Sequence, residues 1–128
     1  MGEALLEPTR LYVKPVLDVL KEVTVKGIVH ITGGGFYENI PRILPEGTLA
    51  AIERDSWEVP ALFGLIQNRA EIAEREMYTT FNMGIGMVLA LARDDVETAQ
   101  KILGIHGLDA QVIGRIEETT GEPRVELV

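Results

Sequence analysis

Short β-branched, apolar runs alternate along the chain with stretches whose apolar residues recur every three or four positions, and Gly and Pro separate them. Alternation of this kind predicts an α/β or α+β domain. Leu11 to Val13 reads as a short extended piece. Pro15 then fits the first turn of a helix whose Val16, Leu17, Leu20 and Val23 share one face, with Gly27 closing it. Gly27 to Thr32 (G-I-V-H-I-T) predicts a buried strand that runs straight into Gly33, Gly34 and Gly35. A helix follows the glycines, and within the segment Phe36 to Leu44 Pro41 must fall in its first turn, because deeper in the helix it would remove a hydrogen bond. Pro45-Glu46-Gly47 forces a turn.

Leu49 to Glu53 predicts a second strand, and Asp55 or Ser56, with Pro60, announces a helix carrying Leu62, Phe63, Leu65 and Ile66. A short helical piece over Ile72 to Tyr78 comes next. Asn82-Met83-Gly84-Ile85-Gly86 forms a second glycine-bearing turn before Met87 to Ala92, an apolar run of the central-strand type. Asp94 or Asp95 caps a helix that turns Val96, Ala99, Ile102 and Leu103 inward, and Gly107 is its left-handed terminator. Gln111 to Ile116 is a strand. Arg124 to Val128 is a last edge strand after the Thr120-Gly121-Glu122-Pro123 turn.

Composition narrows the function classes. A chain of 128 residues buries roughly two-thirds of its unfolded surface, enough for one core. Twelve Lys and Arg against 20 Asp and Glu give a net charge of −8, which repels phosphate backbones and argues against a nucleic-acid partner. The absence of Cys removes disulfides, thiolate zinc sites and thiol nucleophiles, and fits a reducing cytoplasm. With only His30 and His106, a His-rich metal site is not expected. Neither a signal-peptide pattern nor an apolar run near the roughly 20 residues of a membrane span is present.

The best candidate for chemistry is H-I-T-G-G-G, His30 to Gly35, where strand, glycine turn and helix start gather several backbone N–H groups around one point. Such a nest binds anions, phosphate above all. It is not a P-loop, since the Lys-Ser/Thr and the G-x-G-x-x-G spacing are both missing. A tight strand-to-helix turn without a ligand fits the pattern equally well. Thr32, Asn39 and Arg42 add a hydroxyl, an amide and a guanidinium near the glycines. His30 is either a hydrogen-bonded structural residue or an acid/base or ligand contact. Asn82 and Gly84 in the second turn offer an amide and bare backbone to the same ligand, or form only a bulge before the strand. Trp57 reads as a packing anchor or helix-entry staple, and His106 as a complement to a helix dipole or an exposed residue. If the glycines serve a ligand, a β-branched residue at Gly34 blocks its approach and leaves the fold intact.

H-I-T-G-G-G-F-Y-E-N-I-P-R-I-L-P (His30 to Pro45), D-S-W-E-V-P (Asp55 to Pro60) and T-F-N-M-G-I-G-M (Thr80 to Met87) together resemble the C-terminal domain of the AIR synthetase family. These are the phosphoribosylformylglycinamidine cyclo-ligases of purine biosynthesis. L-L-E-P-T-R-L-Y-V-K (Leu5 to Lys14) and V-I-G-R-I (Val112 to Ile116) fit the same family, so the resemblance covers the whole chain. It implies an α+β fold, layered α/β/α, with a partly ferredoxin-like order of strands and helices. The implied reaction converts formylglycinamidine ribonucleotide to aminoimidazole ribonucleotide, with ATP and Mg2+ as cofactors of the complete enzyme. Neither is expected to bind tightly to this chain.

By the same resemblance, His30, Thr32, Gly33, Gly34, Gly35, Asn82 and Gly84 line a cleft facing an N-terminal domain and hold the substrate phosphate or the transferred phosphoryl group. His30 is the one candidate for a catalytic role. The chain starts where the family's second domain would begin, so residues 1–128 are expected to form a single C-terminal-type domain that is inactive without its N-terminal counterpart. An uncovered interface is then expected to drive homo-oligomerisation. The alternative is a non-catalytic module of the same fold that binds a phosphate ligand or oligomerises.

Overall fold

The computed structural model describes residues 2–128. A first turn of helix, α1 (Gly2–Leu5), precedes α2 (Val13–Glu22), β1 (Val25–His30) and α3 (Gly35–Asn39). A 3-10 turn over Ile40–Ile43 leads to β2 (Thr48–Ile52), followed by α4 (Ala61–Ala70), α5 (Glu74–Thr80) and β3 (Met87–Leu91). The chain closes with α6 (Val96–Ile105), β4 (Gly114–Glu118) and β5 (Arg124–Leu127). Helices and strands are mixed, as the α+β reading expected.

The strands form two sheets. One is the antiparallel pair β1–β3; the other has the order β4–β2–β5, with β2 antiparallel to β4 and parallel to β5. Opposite residues of an antiparallel pair share a face. Val29 opposite Val88 therefore faces a core built on Phe36, Ile40, Ile52, Trp57, Met77 and Tyr78. On the reverse face, Val25, Leu89 and Leu91 meet Val19, Val23, Ala99 and Leu103, which is how α2 and α6 cover the sheet. The β1–β3 ribbon thus lies between two apolar layers.

Three sequence expectations change on contact with the fold. Gly27 does not end α2; it lies inside β1, just after a bulge at Lys26 that shifts the register between Val25 and Gly27. A side chain there would run into Ile43, whose Cδ1 lies 2.9 Å from where a Cβ would sit. The buried face of α2 is Pro15 and Val19, continued by Val23, while Leu17 and Leu20 remain 52% and 43% exposed. Met87–Leu91 is an edge strand of its own sheet, and every one of its residues is only half-buried.

Other elements follow their local chemistry. Pro41 cannot donate to an α-helical ladder, and the helix gives way at Ile40 to a 3-10 turn carrying that proline near its start. Helix α6 ends in a Schellman motif, with the Leu108 N–H on the Leu103 carbonyl, the Gly107 N–H on the Gly104 carbonyl, and Gly107 at φ 76°. His106 at that end also ties α6 to α2, its Nε2 lying 2.8 Å from Asp18 Oδ2. Lys21 Nζ donates to the other oxygen of Asp18. Hydrogen bonds from Lys21 and His106 hold the Asp18 carboxyl below its ordinary range. Among the described residues, no helix is long and apolar enough to cross a membrane.

Candidate functional site

The glycine turn is built at the end of β1, where the Ile31 N–H donates to Gly86 O at 2.8 Å and so stitches the two glycine-bearing segments together. The Gly35 N–H closes the turn on Thr32 O at 3.0 Å. Gly34, at φ 95° and ψ −9°, takes the third position of a type II turn, which favours glycine. Gly35, at φ 55°, packs so closely on α5 that a Cβ would collide with the Tyr78 carbonyl. Gly33 alone of the three has open space around it and no positive φ. The N–H groups of Gly33 and Gly34 have no backbone acceptor among the described residues.

Asn39 explains how the turn keeps its shape. Its side chain is 2% exposed, and Nδ2 donates to Gly35 O at 2.8 Å, Thr32 O at 3.1 Å and Gly33 O at 3.2 Å. One amide therefore holds three carbonyls inward, leaving the N–H side of the turn facing out. Asn39 shapes the site from behind; it does not present its amide to a ligand. The Gly34 expectation is also corrected. A Cβ at Gly34 would strike the Glu38 side chain, and the positive φ is strained for any L residue, so a β-branched substitution there disturbs the turn itself. Gly33 is the position that tests a ligand.

The second turn is likewise engaged internally. Asn82 Oδ1 accepts from the Gly84 N–H at 3.0 Å, and Gly84 lies against the Pro60 ring. The buried Met83 carbonyl accepts from Trp57 Nε1 at 3.0 Å, and the indole stacks on Phe36 at 5.7 Å between ring centroids. Trp57 is thus the packing anchor that joins the second turn to the helix after the first. Tyr78 meets Phe36 edge-on, and burial pushes its phenol above the ordinary value, so it stays neutral.

Thr32 and His30 are exposed, whereas Arg42 projects from the 3-10 turn with no ion-pair partner among the described residues. His30 pairs across the ribbon with Met87 and meets the Tyr12 ring edge-on at 6.1 Å. It forms one wall of a shallow apolar groove of about 360 Å³, lined also by Leu11, Tyr12, Val13, Leu17 and Ile28. Sequence reasoning missed Tyr12, whose hydroxyl lies over Gly86 where any side chain would collide. The structure therefore gathers His30 with this groove and Thr32 with the glycine turn, and leaves Arg42 on the surface.

Among the described residues no three His, Asp or Glu side chains converge to hold a metal.

An α+β domain with two apolar layers around a β-ribbon and a glycine turn fixed by a buried asparagine defines the class. The chain belongs to the family described as AIR synthase related protein, C-terminal domain, which it matches over residues 1–126. It is similar to the phosphoribosylformylglycinamidine cyclo-ligase of Caldicellulosiruptor bescii, 59% identical over 127 residues, which cover 99% of this chain and 37% of the relative. The protein of that name from Caldicellulosiruptor saccharolyticus is 55% identical over 94% of this chain and 36% of its own length. The Alkaliphilus metalliredigens protein of that name is 51% identical over 91% of this chain and 33% of its own. The chain spans little more than a third of the length of these curated relatives.

Proposed function

We propose that this chain is the C-terminal part of an ATP-dependent phosphoribosylformylglycinamidine cyclo-ligase. The observation that carries the proposal is its 59% identity, over 99% of its length, to a relative with that name. In the proposed reaction the amidine nitrogen of formylglycinamidine ribonucleotide closes the imidazole ring after phosphoryl transfer from ATP has activated the formyl oxygen, leaving ADP and phosphate.

The chain's own contribution follows from the turn. The outward N–H groups of Gly33 and Gly34, beside the exposed Thr32, offer donors to a phosphate oxygen, and Asn39 keeps them pointed that way before the ligand arrives. Such fixed donors need no reorganisation when charge develops, which is what phosphoryl chemistry asks of a protein. Local geometry then outweighs the overall charge of −8. His30, on the wall of the neighbouring groove, lies within the same end of the β1–β3 ribbon.

The test is reconstitution. Purified chain is mixed with the remaining, N-terminal portion of the Caldicellulosiruptor bescii relative, and aminoimidazole ribonucleotide formation is followed with ATP, Mg2+ and substrate. Product is expected from the mixture and from neither part alone. Product from this chain alone, or no product when the relative's own C-terminal portion restores activity, overturns the proposal. In the active mixture, Gly33→Val should raise the KM for substrate at least about tenfold, a loss of about 1.4 kcal/mol of binding, with an unchanged melting temperature.

A further inference from the structure

Gly86 is a glycine for a reason that the backbone does not supply. Gly34 and Gly84 take positive φ angles, but Gly86 does not. What excludes a side chain there is the ring of Tyr12: a Cβ would collide with the hydroxyl and lie 2.9 Å from Cζ and 3.3 Å from Cε2. Gly86 is therefore a notch that admits that ring. Its carbonyl accepts from the Ile31 N–H at 2.8 Å, so the notch sits where the second glycine-bearing segment joins the end of β1.

Tyr12 is held at both ends. It caps the start of α2, and its carbonyl accepts from the Val16 N–H at 3.0 Å, which fixes its backbone to the helix. Helix α2 is in turn anchored through Val19, fully buried in the layer it forms with α6. The described residues before Tyr12 are all exposed, and Tyr12 is the first to be half-buried. Between these two fixings the ring meets the imidazole of His30 edge-on, with centroids 6.1 Å apart and planes at 63°. Aromatic pairs of this kind favour some mutual orientations over others. An exposed histidine would otherwise sample several rotamers, each sending its ring nitrogens in a different direction. The glycine turn starts at Thr32, whose carbonyl accepts from Gly35, only two residues beyond His30. The direction of the imidazole therefore decides what it offers to a ligand held at that turn.

We propose that Tyr12 is a positioning residue for the reaction proposed above: seated in the Gly86 notch, it holds the imidazole of His30 in the orientation that reaches a ligand at the Thr32–Gly35 turn. The inference rests on the cyclo-ligase reading and adds to it the residue that aims His30. His30 makes the contact, through a hydrogen bond at a ring nitrogen, and Tyr12 acts only through it. A side chain fixed in advance needs no reorganisation when the ligand arrives.

Reconstituted activity and proton NMR test it together. In the mixture with the N-terminal portion of the Caldicellulosiruptor bescii relative, Tyr12→Leu should lower kcat at least about tenfold and leave the KM for ATP unchanged. Tyr12→Phe keeps Cζ and Cε2 in the notch and should stay within about twofold of wild type. His30→Ala should lower kcat at least as much as Tyr12→Leu, and the double variant no further than His30→Ala alone, since both remove one contact. In the spectrum of the wild-type chain the His30 ring protons should show cross-peaks to the Tyr12 ring, with a ring-current shift that Tyr12→Phe keeps and Tyr12→Leu abolishes. A Tyr12→Leu mixture at wild-type kcat overturns the inference. So do losses that multiply in the double variant, a Tyr12→Phe as poor as Tyr12→Leu, or wild-type His30 protons without the cross-peaks. If Tyr12→Leu does not fold, the cross-peaks and Tyr12→Phe decide. An inactive wild-type mixture, where the relative's own C-terminal portion restores activity, refutes the cyclo-ligase reading itself and the inference with it.

Discussion

Replacing Asn39 by Asp changes one atom type in the most constrained polar position of the domain. The amide donates to three carbonyls, and the bond to Gly35 O, 2.8 Å and buried, is the strongest; those to Thr32 O and Gly33 O are longer and partly exposed. At about 1 kcal/mol for a neutral hydrogen bond, and less for the two long ones, their loss costs about 2 kcal/mol. An aspartate adds a carboxylate facing three carbonyl oxygens without a donor, which costs about another 1–2 kcal/mol. A total of about 3–4 kcal/mol lowers the melting temperature of a domain this size by roughly 10–15 °C. Thermal unfolding followed by circular dichroism, without ligand, measures it. Acid provides an internal check. The substituted carboxyl has its pKa raised by burial beside acceptors, and a protonated carboxyl can donate once, so the deficit relative to wild type should shrink as pH falls from 7 toward 4. A variant within about 2 °C of wild type at pH 7, the shift that about 0.5 kcal/mol produces in a domain of this size, refutes the account of Asn39 as the pin of the turn.

Gly33→Ala and Gly35→Ala should separate in the same assay: the first leaves stability within about 0.5 kcal/mol, whereas the second, forced against the Tyr78 carbonyl, costs at least about 2 kcal/mol. Trp57→Phe deprives the Met83 carbonyl of its donor and leaves a small cavity beside Phe36, so urea unfolding should show a loss of about 2 kcal/mol. Asp18 carries a lowered pKa because of Lys21 and His106. Its stabilising effect is therefore present above the unfolded carboxylate's value and lost as pH falls through the lower folded one. The melting temperature of Asp18→Asn should lie below wild type at neutral pH and converge with it in acid.

Much of the element order was legible because Gly and Pro punctuate it. The Schellman terminator at Gly107 and the strand from Thr48 to Ile52 follow from backbone chemistry, whereas Pro41, expected in the first turn of a helix, instead follows α3 in a 3-10 turn. The orientation of α2 was not legible. Lys14, Asp18, Lys21 and Glu22 share one side, but the apolar arc left by Val13, Val16, Leu17, Val19, Leu20 and Val23 is broad, and packing on α6 decides that Val19 and Val23 are buried rather than Leu17 and Leu20. Strand β4 was misplaced, because apolar composition pointed to a span a few residues too early. Ile113 packs on the core but lies before β4, while Ile116 within it is 50% exposed, so apolar composition marked the wrong span. At the site, the turn was foreseeable from three glycines, but the inward role of Asn39 was not. Its three acceptors are main-chain carbonyls, which leave no signature in the sequence.

The bulge at Lys26 bears on how the molecule comes apart. In a regular strand Val25, Val29 and Ile31 would all point the same way; the extra residue sends Val25 to the α2–α6 layer and leaves Val29 and Ile31 in the other. The seven residues from Val25 to Ile31 thus anchor both apolar layers, and neither layer can melt without pulling on the segment that holds its neighbour. The two should therefore unfold as one cooperative unit, with coincident transitions whichever layer the probe reports on.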